Sequence, residues 1–498
     1  MEQMNPLPFE ENSVPAEEKA FPTEKRELLF GIGAGLCGLA GTNFVLFGGF
    51  ALGFALICVA ALGLTFLYLL ETGKKIAPYP TALLILCAII ALGFGRSDDG
   101  FVKFVMVCFL LVAGNLSLCL MAGQNRRDPA RFATWMDAPR TLFVMGVEML
   151  PPALRGLKKA FRSGGAAGKN TGAVLLGIGI AVPVLAVMIP LLISADAAFD
   201  ALIALLPKFN FGEAVVTVLF GGCAACVLYT RAVALRHSEK PMPVREKSRA
   251  LPALTVNIAL GAVCALFTVY LVSQLAYFTG GLSGILPEGY TMAQYARRGF
   301  FEMAWLCAID LAVIAASVAL VKKEGAAPLS TRLFCLFIGV MTLFFVVCAS
   351  AKMGLYISGY GLTRLRVLTE VIMVFLGVAT VVVCVWLFVP KLPYMKVILL
   401  TALIMGALVI WIDVDSLVAS YNVSAYLSGA LRSVDVGYLG SLSDGAIPHL
   451  ARLQGCDDPG MWRQVQWILN DREAGWQDFR DWNFASQQAW QTILELTK

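Results

Sequence analysis

The feature that most constrains this chain is a series of uncharged apolar runs, each about 20 residues long, that recurs between residues 28 and 412. A helix of about 20 residues matches the hydrocarbon thickness of a bilayer. The chain has 58% apolar and only 15% charged residues, whereas a soluble domain carries about 25% charged residues. This composition excludes a soluble multidomain enzyme and a disordered scaffold. The sequence therefore predicts an all-α protein, a polytopic transmembrane helical bundle.

The apolar runs predict eleven spans, and the basic residues predict their orientation. With the N-terminus inside, the inner segments hold 25 Lys and Arg residues and the short outer loops hold eight. This bias follows the positive-inside rule, and an odd number of spans then places the C-terminus outside. The predicted spans lie near residues 28–47, 50–70, 81–95, 101–123, 172–194, 213–232, 253–273, 300–321, 333–351, 367–389 and 397–412.

The composition along the chain predicts three regions. Residues 1–27 are acidic and contain four prolines, which is typical of a disordered cytoplasmic tail. Residues 28–412 form the transmembrane bundle, whose largest inner loop, 124–171, mixes basic and apolar residues and favours helices that lie on anionic inner-leaflet lipids. Residues 413–498 are acidic, and we expect them to form a small helical extracytoplasmic domain. An envelope protein is the expected partner of this domain. The five tryptophans of this domain should be partly buried: Trp462, Trp467, Trp476, Trp482 and Trp490.

A search for motifs with known chemistry excludes several classes of function. Residues 163–170 lack the first glycine and the final Ser or Thr of a phosphate-binding loop. Cys223 and Cys226 have redox spacing but lie inside an apolar run, where cysteine acts as a small packing residue. The two histidines, His237 and His449, do not support a His-based metal site. We therefore expect no cofactor, no metal, no nucleic-acid binding and no catalytic residue of a recognised type.

The informative charges lie within or beside the predicted spans. Arg298 and Glu302 open the eighth span, and Arg366 and Glu370 open the tenth. Each pair is four residues apart and so shares one helical face. Both spans enter the membrane from the outer side, so we expect the pairs to form one outer charge cluster. The candidate binding residues of this cluster are Arg297, Arg298, Glu302, Asp310, Lys352, Arg364, Arg366 and Glu370.

Asp310 is the deepest member of this cluster. It follows Glu302 by eight residues, which places it about 12 Å deeper along a helix. A lone charge near the middle of a bilayer costs about 2.5–3.5 kcal/mol, so Asp310 needs a partner or a proton. Two interpretations of the cluster stay open, namely an ion-pair lattice that clamps helices together and a binding or proton-transfer site open to the outer leaflet.

Several short segments resemble the signatures of a bacterial membrane protein family. The two most specific are residues 290–302 (YTMAQYARRGFFE) and residues 360–366 (YGLTRLR), and residues 194–196, 421–423, 435–439 and 481–483 are also similar. The family is that of the domain of unknown function 4173, related to 4153, and the resemblance covers about residues 30–490. It implies a multi-pass protein of the bacterial cytoplasmic membrane, and it implies no activity.

These observations favour a non-enzymatic role. The leading hypothesis is an integral membrane protein that acts as a scaffold or sensor component of the cell envelope. The alternative is a transporter or lipid-handling protein that uses the outer charge cluster. An intramembrane transferase with Glu302 or Asp310 as a general base is a third hypothesis.

Overall fold

The computed structural model describes residues 25–70, 77–131, 137–148, 211–238, 251–281, 300–322, 327–454, 458–472 and 479–496, together with a few isolated residues between these ranges. Every regular element within these ranges is helical, apart from one isolated backbone bridge between Leu251 and Val321. In chain order the helices are α1 (Lys25–Gly48), α2 (Leu52–Leu70), α3 (Pro78–Leu92), α4 (Gly100–Ala122, with a π turn at Leu110–Gly114), α5 (137–148), α6 (Phe211–His237), α7 (Ala253–Gly281), α8 (Phe300–Leu320), α9 (Leu329–Tyr360), α10 (Arg364–Phe388), α11 (Tyr394–Ile412), α12 (Val414–Leu427), α13 (Val436–Gly440), α14 (Ile447–Leu450), α15 (Pro459–Asp471) and α16 (Phe484–Leu496).

The prediction of an all-α chain with many membrane-length apolar helices is confirmed for the described residues. Ten of the described helices, α1–α4 and α6–α11, are long and apolar enough to cross a membrane. Each of them overlaps one of the predicted spans. The remaining predicted span, 172–194, lies outside the described residues except at isolated positions, as do residues 1–24 and most of 151–210.

One end of the bundle is covered by the C-terminal segment, residues 413–496, and we call it the capped end. The turn between α1 and α2 lies here, because the Leu52 amide donates to the carbonyl of Trp482 at 3.2 Å. The turn between α9 and α10 lies here too, because the Asn422 side chain donates to the carbonyl of Leu362 at 2.8 Å. The C-terminal segment therefore joins turns that are far apart in sequence.

The opposite end, which we call the open end, holds the other helix termini. Glu27 at the start of α1 has a carboxylate oxygen 3.4 Å from the His237 ring at the end of α6. The Gln124 side chain, just after α4, donates to the carbonyl of Ser238 at 2.8 Å. Both α4 and α6 therefore end at the open end.

Local sequence signals explain where the helices at the capped end begin and end. Asp99 caps α4, since its carboxylate accepts the amides of Phe101 at 2.9 Å and Val102 at 3.2 Å. Gly361 ends α9 with a φ of 75°, a left-handed conformation that favours glycine. A Cβ at this position would lie 2.5 Å from the side-chain oxygen of Asn422, so glycine is also required by packing.

The C-terminal segment packs as part of the bundle. One buried apolar cluster contains Leu83 and Phe94 of the α3 region, Ile410 of α11, and Leu450 and Val465 of the C-terminal segment. Burial of this shared surface stabilises the segment in place at about 25 cal/mol per Å². The helix ends at the capped end therefore pack against the C-terminal segment.

The tryptophans of this segment only partly follow the prediction. Trp462 and Trp482 are half-buried, whereas the Trp467 side chain is 66% exposed and Trp490 also lies on the surface. The reason is the register of α15, whose buried face is formed by Val465, Ile468 and Leu469. Trp467 therefore points away from the core. Trp476 lies outside the described residues.

Glycines set the distance between α1 and α6, which lie side by side. A Cβ on Gly38 would lie 2.5 Å from the carbonyl oxygen of Gly221, and a Cβ on Gly221 would lie 2.8 Å from the Cα of Leu39. The neighbouring atoms belong to the backbone and cannot move aside. Small residues of this kind allow close backbone approach between helices in lipid.

Candidate functional site

Arg364 makes the central contact at the capped end. Its Nε atom donates to Asp415 Oδ1 at 2.7 Å and lies 3.0 Å from Asp99 Oδ2, and its Nη2 atom donates to the second oxygen of Asp415. Asp99 is 1% exposed and Asp415 is fully buried. The contact joins the start of α10, the start of α4 and the start of α12. A guanidinium between two buried carboxylates is a strong but geometrically demanding arrangement.

The two carboxylates have different proton affinities. Burial, followed by the adjacent Asp415 carboxylate, raises the pKa of Asp99. Burial alone would also raise the pKa of Asp415, but the hydrogen bonds from Arg364 and Ser443 outweigh it and hold that pKa below its usual value. The Ser443 amide donates to Asp415 at 2.8 Å. Asp415 is therefore the anion of the site.

Asp413 forms the second part of the site, at the junction of α11 and α12. Its φ is 57°, a left-handed conformation that Asp and Asn tolerate better than other side chains. It caps α12 through the Ser416 amide at 3.5 Å and accepts from Ser97 at 3.4 Å. Burial is the main reason that the pKa of Asp413 rises to about 6. A Cβ on Gly445 would lie 2.5 Å from its carboxylate, so this contact requires glycine.

Asp98 and Lys103 form the third part. Lys103 Nζ lies 3.4 Å from Asp98 Oδ1, and the Asn483 side chain donates to the same oxygen at 3.2 Å. Arg472 extends the site by donating to Asp444 at 2.5 Å. We call these residues together the capped-end network: Ser97, Asp98, Asp99, Lys103, Arg364, Asp413, Asp415, Ser443, Asp444, Arg472 and Asn483.

Of the six candidate residues that the structure describes, Arg364 alone belongs to this network. Arg366, two residues later, donates to the carbonyls of Tyr360, at 3.2 Å, and Gly361, and its guanidinium lies 4.0 Å above the Tyr356 ring. It does not reach Glu370, because a side chain near the start of a helix points back toward the N-terminus. A buried carboxylate oxygen of Glu370 makes no hydrogen bond.

Three further described candidates lie outside the network. Glu302 is exposed, and Lys352 is half-buried on α9. Asp310 is 2% exposed and contacts Thr342 of α9 at 2.8 Å. Arg297 and Arg298 lie outside the described residues. The described candidates therefore do not form the single cluster expected from their spacing, because the carboxylates nearest to Arg364 come from elements that the sequence pattern did not connect with it.

Sequence reasoning missed the carboxylates of the network, although two signals were present. Asp98, Asp99, Asp413 and Asp415 directly flank predicted spans, where charge needs a partner. The segments of family resemblance at 421–423, 435–439 and 481–483 also supply contacts. Asn422 binds the turn before α10, and the hydroxyl of Tyr438 accepts the Arg364 amide at 2.9 Å. Within the described ranges, no three His, Cys, Asp or Glu side chains are arranged to hold a metal ion.

A groove runs along the bundle between α4, α10 and α11. It encloses about 400 Å³, and every residue that lines it is apolar or glycine. Phe101 and Ile372 on its rims are exposed at the bundle surface, so the groove opens sideways, toward the hydrocarbon of a surrounding bilayer.

The groove leads to the capped-end network on all three helices. On α10, Arg364 precedes the lining residue Leu368 by four positions and therefore shares its face. At the end of α11, Asp413 follows the lining residue Val409 by four positions. At the start of α4, the amide of the lining residue Val102 donates to the carboxylate of the cap residue Asp99. The arrangement is an apolar groove with a charged network at one end.

Comparison with known proteins gives a family and no activity. A family model described as a domain of unknown function (DUF4153) matches residues 80–453. This range contains the groove and most of the capped-end network. No curated protein and no solved structure matches the chain.

Replacing Arg364 should destabilise the protein strongly. In R364Q the carboxylates of Asp99 and Asp415 lose their cation, and breaking a buried ion pair costs about 3–5 kcal/mol. The double variant R364Q/D415N should lose less stability than the sum of the single variants, because the residues act as a unit. Thermal unfolding of the detergent-purified protein measures this, with R432Q at an exposed site as the control. Strictly additive losses would contradict the assignment.

Asp413 should make the stability depend on pH. Its pKa is about 6 in the folded chain and about 3.9 in an unfolded one, so folding favours the protonated form. Stability should therefore fall as the pH rises from about 4 to 6 and then stay level. D413N, which keeps the cap and tolerates the left-handed φ, should be more stable than wild type at pH 8 by about 3 kcal/mol.

The comparison of D413N with wild type should show no difference near pH 4. The matched control is D458N, which replaces the exposed cap residue of α15 and should add no stability at pH 8. Melting temperatures measured from pH 4 to 8 give the result. A stability gain for D413N that is equal at both ends of the range would refute the titration of Asp413.

Proposed function

Since the chain belongs to the DUF4153 family, whose description carries no activity, we propose from its geometry that it is a lipid-handling membrane protein. The hydrocarbon chain of a membrane lipid lies in the groove between α4, α10 and α11, and the polar head contacts the capped-end network. The observation that carries the proposal is the continuity between the apolar groove and the charged network on three helices. The groove volume of about 400 Å³ lies in the range of ligand sites, about 300–1,000 Å³.

The energetics assign different roles to the two parts. A hydrocarbon chain gains little by leaving lipid for an apolar groove, because both surroundings are apolar. Selection among lipids must therefore come from the head group. The side chains of Arg364 and Asp98 are partly exposed, at 30% and 38%, while the carboxylates behind Arg364 are buried. These two groups offer a donor and an acceptor to a polar head.

A second candidate function is the scaffold or sensor role in the cell envelope. The observation that favours it is the exposed face of the C-terminal segment, where Trp467, Phe479 and Trp490 lie on the surface. Exposed aromatic side chains are enriched in protein interfaces. An envelope protein that binds this face would contact the same segment that holds the capped-end network.

We also propose an eleventh span between α5 and α6. The chain leaves α4 at the open end, where Gln124 contacts Ser238. It re-enters at the capped end, where Glu213 of α6 lies 2.9 Å from Arg480. An odd number of crossings must connect these points, and 172–194 is the apolar candidate. Five described positions within it are helical and exposed at a spacing of three or four residues: Gly177, Ala181, Val184, Met188 and Leu192.

The charge bias orients this bundle. The open end carries the basic inner segments and faces the cytoplasm, so residues 1–27 lie inside and the C-terminal segment lies outside as a small helical region, in the cytoplasmic membrane of a bacterium. In the inner loop, α5 carries Arg140 together with two exposed apolar side chains, Phe143 and Val147. This mixture supports contact of 124–171 with anionic inner-leaflet lipids.

Fusions to the full chain test the orientation. Alkaline phosphatase attached after Lys498 should be active, because it folds only outside the cytoplasm, and a green fluorescent protein at the same position should be dark. A green fluorescent protein attached before Met1 should fluoresce. The eleven-span arrangement is wrong if both termini report the same side.

Filling the groove should release the lipid. In A402F a phenyl ring enters the groove from α11, and overpacking of this kind costs about 1–3 kcal/mol. The amount of lipid retained per protein after mild-detergent purification should then fall about tenfold, as measured by native mass spectrometry. The matched control is I404F, because Ile404 lies on the same helix, is exposed and does not line the groove. Equal retention in A402F and I404F would contradict the proposal.

A further inference from the structure

Arg231 is a partly buried cation for which the described residues supply no counter-charge. It lies on α6, six residues before the helix ends at His237, which is about 9 Å from the open end. Its Nε and Nη2 atoms are both buried, and neither makes a hydrogen bond. A guanidinium carries five donors and cannot be deprotonated in a protein, so the charge stays and needs an anion.

Arg231 lies where α6 packs against α5, beside the buried cluster at the open end. A Cβ on Gly146 of α5 would lie 3.9 Å from the Cβ of Arg231 and 3.8 Å from the hydroxyl of Thr230, so α5 lies directly against this part of α6. Cys119 of α4 and Met145 of α5 belong to the buried cluster at this end. An unpaired charge in such surroundings is strongly unfavourable.

Neither buried carboxylate described at the open end pairs with Arg231. Asp137 accepts from the Arg127 guanidinium at 2.8 Å and from the amides of Arg126 and Arg127. Glu27 lies 3.4 Å from the His237 ring, although neither of its buried carboxylate oxygens accepts a hydrogen bond, and no ion pair joins it to Arg231. No ion pair to Arg231 occurs among the described residues. Cys119 lies within electrostatic range of Arg231, Arg140 and Asp137, so two cations and one neutralised carboxylate share this region.

We propose that Arg231 binds a phosphate group between α4, α5 and α6 at the open end. The planar guanidinium matches two phosphate oxygens at once, which gives both affinity and orientation. Arg126 brings a further buried guanidinium nitrogen without a hydrogen bond to the same end. The phosphate belongs either to the head group of an anionic phospholipid or to a free phosphate ion. The site lies at the opposite end from the groove and does not rest on the lipid-handling proposal.

Thermal unfolding of the full detergent-purified chain tests this site with three additives: phosphatidylglycerol, phosphatidylcholine and inorganic phosphate. We expect phosphatidylglycerol to raise the melting temperature of wild type by several degrees. Phosphatidylcholine, which has no net charge, should raise it much less. R231L should lose the response to phosphatidylglycerol. The matched control is R131Q, which replaces an exposed arginine of the inner loop 124–171 and should keep the response.

The stability of R231L without additive separates a ligand site from a structural ion pair. If Arg231 has no counter-charge until a phosphate binds, R231L should fold and should be at least as stable as wild type in lipid-free detergent. The reason is that the substitution removes an uncompensated charge. A collapse of R231L in lipid-free detergent would overturn the proposal, since it would mean that the chain itself neutralises Arg231. R231K, which keeps the charge but not the planar fork, should respond more weakly than wild type.

The remaining outcomes also decide the question. A response to inorganic phosphate equal to that of phosphatidylglycerol supports the site and identifies a free anion as its ligand. A response to phosphatidylglycerol alone supports the site and identifies a lipid head group. The proposal is overturned if neither additive stabilises wild type, or if R231L responds as strongly as R131Q.

Discussion

The contact of Arg364 with Asp99 and Asp415 is the interaction on which the capped end depends. It joins one guanidinium to two carboxyl groups, and both Asp99 and Asp415 are almost completely buried. Such a group is stable only when every member is present, because a missing partner leaves a buried charge. The three residues come from α10, α4 and α12, so the contact fixes the start of three helices at once. The C-terminal segment is thereby locked to the bundle by charge as well as by apolar packing.

The contact of Arg364 with Asp99 and Asp415 explains why a groove can remain open between α4 and α10. Helices in lipid gain little from the hydrophobic effect, and their spacing is set by packing and by polar contacts. At the capped end, Arg364 holds the start of α10 close to the start of α4. Farther from the capped end, side chains such as Val105 of α4 and Phe375 of α10 line the groove, and α11 contributes further lining residues. The polar network therefore determines the width of the groove at the end where it begins.

The sequence predicted the spans well because the signal for a span is local. Each of the ten membrane-length helices lies in a single run of apolar residues, and length and hydropathy suffice to find it. Even the turn between α1 and α2 coincides with the Gly48–Gly49 step, where Gly49 has a φ of 60°. These features depend on neighbours in the chain and not on the rest of the fold.

The network could not be predicted in the same way, because its partners are distant. Ser97 and Asp413 are separated by 316 positions, and Asp98 and Asn483 by 385. Helical spacing led instead to Arg366 and Glu370, which share a helix but not a contact. Spacing shows which residues share a face, whereas the choice of partner depends on which helices meet at that depth. In such a chain, aspartates that flank predicted spans indicate polar contacts between helix ends.

Asp310 shows how the same chain treats a polar group far from either end. The hydroxyl of Thr342 lies 2.8 Å from the Asp310 carboxyl and 2.9 Å from the carbonyl of Ile338. A hydroxyl has one hydrogen and accepts with its oxygen, so it cannot donate to both neighbours. When Asp310 carries a proton, it donates to Thr342 and Thr342 donates to Ile338, and the set is complete without a net charge. Ionised Asp310 would take the Thr342 hydrogen and leave a bare charge among apolar helices, which is unfavourable at this depth. In the part of the chain that the structure describes, the ion pairs therefore lie at the two ends, where charged residues from several helices meet, and a hydrogen-bonded neutral group suits the middle.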